Sequence, residues 1–579
     1  MPFHYVAPDL SVAPQLTPQD IGVAASQGFR SVILNRPDGE AGDQPARADL
    51  EAAAKRHGLA VAYVPVVSGQ VTDENVGSFR QAMLDLPAPT LAFCRTGTRS
   101  ITLWALSQAG HLSVDAILKT AAYAGFDLSG LATRLSAQNQ ASAPIDRPAR
   151  SFDVVVVGGG AGGISTAASI LHRRPSLNIA IIEPKRTHYY QPGWTLVGGG
   201  VFRRDQTKRE MSSLIPKGVQ WINTACAAFE PSRNEVTLED GERVGYRVLI
   251  VSPGLKLNFN AVEGLKETLG KNGVTSNYLF DMAPYTWELV QSLKGGRALF
   301  TQPPMPIKCA GAPQKAMYMA CDAWQRRGVL KDIDVSFHNA GGVLFGVQDY
   351  VPSLMQYIER YGIDLNFSRN LVAVDGARKV ATFEILKDEV AHHRVEEAFD
   401  MLHVCPPQGP LDFIKASPLG NEAGWVEVDP ETLQHTRYGN IFGLGDGCSA
   451  PNAKTAAAVR QQAPVVAENA VCVLDGDAPH AVYHGYGSCP LTVERGKIVL
   501  AEFSYGGKLD PTFPTWLVDG TKPTRAAWFL KEKMLPWLYF DWMLKGREFL
   551  AKPDTIHHRP TPREAQPACN DRAESKRAA

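Results

Sequence analysis

The most constraining stretch of this chain is a buried strand that runs straight into a glycine cluster. Asp153–Val157 is followed by Gly158-Gly159-Gly160-Ala161-Gly162-Gly163, which opens a helix. Gly158, Gly160 and Gly163 fit G-x-G-x-x-G. The first glycine allows the tight turn, the second lets backbone approach a pyrophosphate, and the third lets the helix pack on the strand. The helix N-terminus then stabilises phosphate charge. A second apolar strand, Ile179–Ile182, ends at Glu183, where a carboxylate reaches ribose hydroxyls. With both strands and the acid in register, the pattern predicts a dinucleotide-binding βαβ unit. It does not separate FAD from NAD.

The 579 residues exceed what one core holds, so about two to four domains are expected. Strand and helix signals alternate up to residue 136: Thr17-Pro18 opens a helix, Ser31–Asn35 and Leu59–Val64 read as strands, and Thr72 caps a helix that ends before Pro87. Residues 137–150 are rich in Ser, Ala, Gln and Pro and read as a linker. The formal net charge is zero, which leaves no footprint for nucleic acid. The N-terminus carries neither a secretory signal nor a transit peptide, and no apolar run is long enough to span a bilayer. Nine irregularly spaced cysteines argue against a disulfide framework and for catalytic thiols. No metal site is expected.

Thr436–Asp446 reads TRYGNIFGLGD, which resembles the C-terminal FAD motif of two-dinucleotide-fold flavoproteins. The resemblance assigns Asp446 to the ribityl chain. Lys454 precedes a helix of small residues whose N-terminus would face the flavin pyrimidine edge, where negative charge develops on reduction. A second glycine loop is expected mid-chain for a nicotinamide, but the strand Arg297–Thr301 is followed by Gln302-Pro303-Pro304-Met305-Pro306. Prolines lack the N–H groups of a phosphate cradle. Two short cysteine motifs stand out instead: IKCAGAPQKA at Ile307–Ala316 and YGSCP at Tyr486–Pro490.

Taken with VVVGGGAGG, KTAAAV and GYGSCPL, these stretches make the chain from about residue 152 to 550 resemble the sulfide:quinone oxidoreductases. The resemblance implies FAD, sulfide as donor, a membrane quinone as acceptor, and a redox pair at Cys309 and Cys489. It implies that Cys309 faces the flavin and Cys489 carries a persulfide. Lys308 is a candidate for favouring the thiolate. Cys226, Cys321, Cys405 and Cys472 lie in apolar runs and read as packing residues. Cys448, after the Gly-Asp of the FAD motif, has no assigned role, and neither has Cys569.

Near the N-terminus, Cys94-Arg95-Thr96-Gly97-Thr98-Arg99-Ser100 lies between a strand and a helix. Loop N–H groups and a helix start would lower the thiol pKa and hold an anion. Four residues separate Cys94 from Arg99, which resembles a rhodanese loop, whereas tyrosine phosphatases place five. With Leu34–Glu40, the domain is similar to a bacterial family of phosphatase-like sulfurtransferase domains. Asp38 is either a general acid or a turn residue, and the turn reading is favoured.

Residues 523–551 are dense in Trp, Phe, Leu and Met with interleaved lysines, which predicts amphipathic helices on a membrane surface, Trp at the headgroups and cations toward lipid phosphate. Docking on the protein's own core is the alternative. Residues 552–579 read as a mobile tail. The expected fold class is α/β: a small phosphatase/rhodanese-like domain at 1–136, a Rossmann-type two-dinucleotide-fold flavoprotein at 151–522, and the helical tail. The expected enzyme is cytoplasmic and peripheral on the cytoplasmic membrane face. It oxidises sulfide to a persulfide and relays the sulfur through Cys94 to a small thiol or other acceptor. A sulfide- or redox-regulated phosphatase and an NADH:quinone oxidoreductase are the alternatives. The oligomeric state, including a homo-oligomer, is left open.

Overall fold

The computed structural model describes residues 3–110, 112–141, 148, 150–387, 390–451 and 453–555. The first sheet orders its strands His4–Ala7, Leu10–Ala13, Thr90–Phe93, Ser31–Leu34 and Ala60–Tyr63. The first two form an antiparallel hairpin and the rest run parallel. Side chains alternate across the pleat. Val32 and Leu34 face helices Pro18–Ser26 and Arg47–Arg56 through Ile21, Ala24, Leu50 and Ala53. Ile33 and Ala92 face Asp73–Asp85 and Thr98–Ser107 through Val76, Phe79, Ile101 and Leu103. Thr17 starts its helix by a capping box with Asp20, and Pro18 occupies the first helical turn.

The expected linker starts too early. Helix Ala132–Ala141 runs past residue 136, and Arg150 already belongs to a strand. Residues 142–147 and 149 of that linker lie outside the described residues. The hairpin before Thr17 was not read from the sequence either.

The second sheet orders Val219–Ile222, Ile179–Ile182, Arg150–Val157 and Arg243–Val251 in parallel, with Ile441–Gly443 also paired to Arg243–Val251. Buried Val154, Val155, Val156 and Val157 explain the strand, since β-branched side chains favour a pleated, packed surface. A third parallel sheet contains Gly296–Gln302, Ile333–Asn339 and Met401–His403. The hairpin Gly487–Glu494/Lys497–Phe503 packs Leu491, Val493, Val499 and Ala501 into one core cluster with Ala316, Met317 and Ala320 of helix Ala312–Arg327. The two domains touch at the tip of the N-terminal hairpin. A methyl group on Gly439 would overlap Pro8.

The expected surface helices divide into an inner and an outer face. Tyr539, Phe540, Met543 and Leu544 join the core of the second sheet. Gly546 lies against the backbone of Ala168 and Ser169, and Glu548 pairs with Arg173. Phe529, Trp537, Phe549 and Leu550 are exposed. Asp554–Thr555 form a strand with Ala481–Val482, so the mobile tail does not begin at 552. Residues 556–579, with Cys569, lie outside the described residues.

Candidate active site

The glycine loop has the shape of a cradle. Gly158 has φ 106°, and a Cβ there would overlap the Ser252 carbonyl. A Cβ on Gly159 would strike Glu183, and one on Gly162 would strike the Ser252 hydroxyl. Gly160 is the N-cap of helix Ala161–Arg173, and Gly163 packs against the Gly158 carbonyl. Glu183 accepts a hydrogen bond from Gly159 N at 2.8 Å, which holds its carboxylate at the loop. Asp446 follows Ile441–Gly443 at the same edge of the sheet. Burial raises its pKa, against the pull of Lys308 and Lys454. This bare, N–H-rich concavity with a flanking carboxylate fits the phosphates and ribose of a dinucleotide.

Lys454 lies just before helix Ala456–Asp475. Its carbonyl accepts from Cys309 N at 2.9 Å, and its ammonium donates to Cys448 O at 2.9 Å over the face of Trp425. The cofactor-side loop and the cysteine loop are therefore tied together. Cys309 sits at φ 51°, a left-handed backbone that costs energy for a non-glycine residue. The Tyr278 hydroxyl reaches the carbonyls of Lys308 at 3.3 Å and Cys309 at 3.5 Å, and Ala312 N donates to Cys309 O at 2.7 Å.

Cys489 reaches the same place from strand Gly487–Glu494. A Cβ on Gly311 would stand 2.6 Å from Cys489 Sγ, so the bare backbone of Gly311 is what admits the second sulfur. The structure thus brings Cys309 and Cys489 together. The hydrogen bond from Cys489 is the largest influence holding the Cys309 pKa well below its usual range, ahead of opposing burial and the attraction of Lys315. The same bond, with burial, pushes Cys489 well up. Cys309 is thereby biased toward thiolate and Cys489 toward thiol.

Two lysines surround it, and neither was picked out from the sequence. Lys315 Nζ lies 3.1 Å from Cys309 Sγ. Burial opposes its charge, but Cys309 and Cys489 outweigh the burial and keep it protonated. Lys308, the sequence candidate, donates instead to Gln191. Lys531 comes from the tail. It is 5% exposed, donates to Pro490 O at 3.0 Å, and is pushed down to about 7 by burial and then by Lys315. The expectation that the tail lysines face lipid is corrected for Lys531, because its helix turns that side chain onto the cysteine pair. Tyr539 also points inward, bonding His188 Nε2 at 2.8 Å, while His188 Nδ1 lies 3.3 Å from Gly159 O.

Cys94 is fully buried under its loop, whose N-cap Gly97 has φ 87° and abuts Phe126. Arg99 does not stand free. Its guanidinium holds Glu40 at 2.8 and 2.9 Å and Val66 O at 2.6 Å. The Arg99 hydrogen bond lowers the Glu40 pKa to about 2. Asp38 accepts from Arg47 N at 2.9 Å at a helix start. Cys226, Cys321, Cys405 and Cys472 are buried, and burial pushes each thiol up. Cys405 packs in the cluster of Cys309 rather than apart from the site. Cys448 Sγ lies 3.2 Å from Gly445 O. Glu468, Cys472 and His480 also gather, but Cys472 and Glu468 address opposite imidazole nitrogens at 3.3 and 3.6 Å, and Glu468 pairs with Arg173.

A family model described as "Pyridine nucleotide-disulphide oxidoreductase" matches residues 152–282, and one described as "Beta-lactamase hydrolase-like protein, phosphatase-like domain" matches residues 2–111. The mitochondrial sulfide:quinone oxidoreductase of Dictyostelium discoideum is 42% identical over 399 residues, spanning 68% of this chain and 86% of that protein. The beta-lactamase hydrolase-like protein of Xylella fastidiosa (strain Temecula1 / ATCC 700964) is 37% identical over 116 residues, 20% of this chain and 27% of that protein. The solved structure of the Aquifex aeolicus sulfide:quinone oxidoreductase aligns with a TM-score of 0.57 at 21% identity, covering 69% of this chain and 92% of that one, a likeness of fold.

Proposed function

The chain belongs to the sulfide:quinone oxidoreductase family of FAD-dependent enzymes, and from that premise we propose that Cys309 and Cys489 are its sulfide-oxidising pair. The observation that carries this reading is two touching sulfurs, one low and one high in pKa, between Lys315 and Lys531 beside the glycine cradle. In the oxidised pair the sulfurs are bridged. Hydrosulfide attacks Cys489 Sγ, the S–S bond breaks, Cys489 becomes a persulfide, and Cys309 leaves as thiolate. Lys315 stabilises that thiolate, and Lys531, neutral above about pH 7, is able to take a proton. Gly158, Gly160, Gly163, Glu183, Asp446 and Lys454 are the residues proposed to hold FAD. Held there, FAD would supply the two-electron redox chemistry that links the cysteine pair to quinone.

Among the described residues no helix is long and apolar enough to cross a membrane. Peripheral docking is supported by a continuous aromatic face. Trp537 and Phe549 each lie 5.5 Å from Trp542, and Arg547 lies over Trp542. At the N-terminus, the loop of four residues between Cys94 and Arg99 supports sulfur transfer over phosphate-ester hydrolysis. The NADH reading finds no support, because Pro303, Pro304 and Pro306 follow the strand Gly296–Gln302. Anaerobic titration tests the whole reading: sulfide should bleach the flavin stoichiometrically and NADH should not. Bleaching by micromolar NADH alone would reject it.

A further inference from the structure

Below the aromatic face of the tail, residues 543–550 cross two helices of the flavoprotein core. Gly546 makes the crossing close. It has φ 67°, and a Cβ there would overlap the backbone of Ala168 and Ser169 on helix Ala161–Arg173. His172 Nδ1 stands 3.0 Å from Gly546 O. On helix Ala456–Asp475, Gln461 Nε2 donates to Leu550 O at 3.1 Å, and Arg460 donates to Phe549 O. A narrow cleft is left between the three segments. Pro464 and Met543 wall it, and Ser165, Arg460 and Arg547 line it, one from each segment.

The charges around this cleft are unequal. Arg173 is paired twice, with Glu468 and with Glu548, and Lys545 is paired with Asp541 at 2.7 Å. Arg460 and Arg547 form no ion pair among the described residues. Burial lowers the Arg460 pKa against the attraction of Tyr486 and Glu502. Arg547 is exposed and lies over the Trp542 ring. Glu548 also lines the cleft, but its carboxylate is held by Arg173 and Ser169. Two guanidiniums without a counter-ion thus flank one opening, and a cation withdrawn from water gains most from a paired anion. Ser165 adds a neutral donor. It is 2% exposed, and its hydroxyl has no hydrogen-bond partner, whereas buried polar groups are as a rule paired.

What stands beside the opening decides which anion fits. Phe549 and Leu550 are 55% and 54% exposed, and Trp537 and Phe549 flank Trp542. A free ion would gain only the two charges. A molecule with an anionic head and apolar chains gains the charges and the aromatic face together.

From this arrangement we infer that the cleft between Arg460 and Arg547 is a binding site for the phosphate of an anionic phospholipid, whose acyl chains lie along Trp537, Trp542 and Phe549. The inference rests on the peripheral-docking reading of the tail and adds the class of headgroup. Each guanidinium offers a planar fork to the phosphate oxygens, and the Ser165 hydroxyl lies at the floor as a further donor. A zwitterionic headgroup brings its own cation beside two guanidiniums, so a headgroup with net negative charge is preferred. Arg460 belongs to the core and Arg547 to the tail, so a phosphate held by both also fastens the tail onto the core.

The test is sedimentation of full-length holoenzyme with vesicles of phosphatidylcholine, alone or mixed with phosphatidylglycerol. Wild type should favour the mixed vesicles. Arg460→Gln with Arg547→Gln should lose that preference by roughly 20- to 30-fold, since each cation at an anionic surface is worth about fivefold in partition. Binding to phosphatidylcholine alone should change little. Flavin content and turnover with a water-soluble quinone report whether the variant is folded. If it is not, Arg547→Gln alone, at an exposed position, should still lose about fivefold. Lys545→Gln removes a tail cation that is already paired and should cost less than Arg547→Gln. An equal loss in Lys545→Gln would mean diffuse attraction and overturn the inference. So would equal binding of wild type to both vesicles, which leaves docking intact, or release from mixed vesicles by inorganic phosphate more than by chloride of equal ionic strength, which makes the site one for the free ion. If wild type binds neither vesicle, the docking reading falls and the inference with it.

Discussion

The Cys94 loop and the Cys309–Cys489 pair solve the same problem, stabilising sulfur anions, with opposite electrostatics. At Cys94 the nearby cation is already answered: Arg99 is clamped by the Glu40 carboxylate. At the pair, Lys315 and Lys531 face the sulfurs, and the thiolate itself is the counter-charge. The first site is a recess with a resident anion that an incoming group must displace. The second is set to hold a thiolate whenever the sulfur bridge is open. A carboxylate beside an arginine suits reversible occupancy, and a buried lysine beside a cysteine suits a standing nucleophile or leaving group.

The largest effect expected from breaking this contrast is at the sulfurs themselves. Cys309→Ser and Cys489→Ser should each lower sulfide-dependent quinone reduction by about a thousandfold or more while FAD stays bound, since residues acting as a unit fail together. Steady-state turnover and the flavin absorbance of the purified variants measure both. Near-normal turnover in either variant would remove that cysteine from the mechanism. A smaller loss is expected at Lys315. In reduced enzyme, the Cys309 pKa is held below its usual range, so its thiolate persists to lower pH than an ordinary thiol's and its alkylation by iodoacetamide should fall less as pH drops than that of a free thiol. In Lys315→Met the pKa rises, and the rate should fall up to about tenfold per pH unit below it. An unchanged profile in the variant would assign the low pKa to Cys489 alone.

How much of this was legible follows from how local each site is. The glycine cradle and the Cys94 loop are runs of consecutive residues, and their backbone needs are written in order: a strand, then Gly158 to Gly163, or Phe93 followed by Cys94 to Arg99. The cysteine pair was legible only through family resemblance. Its lysines were not read at all. Lys315 had a signal that went unused, a charge inside a run of small and apolar residues on helix Ala312–Arg327, all buried up to Trp324. Lys531 had none, because Lys531 and Lys533 look alike in an aromatic–basic stretch, and only the docking of Tyr539 and Phe540 decides which one turns inward. The same docking explains why the tail could be read as surface helices: periodicity reports an apolar face, not what covers it.

The outer face of that tail offers a milder way to sharpen the contrast, since it sets access of quinone rather than of sulfur. Trp537→Glu with Trp542→Glu should weaken liposome binding roughly tenfold by removing interfacial aromatics. Activity with a long-tailed quinone should fall in parallel, while activity with a water-soluble one is spared. Unchanged sedimentation with anionic vesicles would leave this aromatic face as a docking surface for protein instead.

The smallest effect is expected at Glu40. Its pKa is held at about 2 by the Arg99 hydrogen bond, below the ordinary carboxylate value, so the clamp contributes stability that is complete above that ordinary value and is lost as pH falls through about 2. Across neutral pH the clamp is therefore constant, and any effect of Glu40→Gln there reports the lost charge rather than a titration. Two consequences follow and pull in opposite directions. The Arg99 guanidinium, 9% exposed, loses its counter-ion but keeps Val66 O, which should destabilise the N-terminal domain by roughly 1–3 kcal/mol. Thermal unfolding of the full chain should show the first transition moving down by a few degrees. Meanwhile the freed guanidinium should bind thiosulfate about threefold more tightly, because the competing carboxylate is gone and each factor of ten is worth about 1.4 kcal/mol. Calorimetric titration of wild type and Glu40→Gln with thiosulfate measures it. Weaker binding in the variant would mean that Glu40 orients Arg99 for the anion instead of standing in for it, and the Cys94 recess would then resemble the thiolate-holding pair more closely than its charges imply.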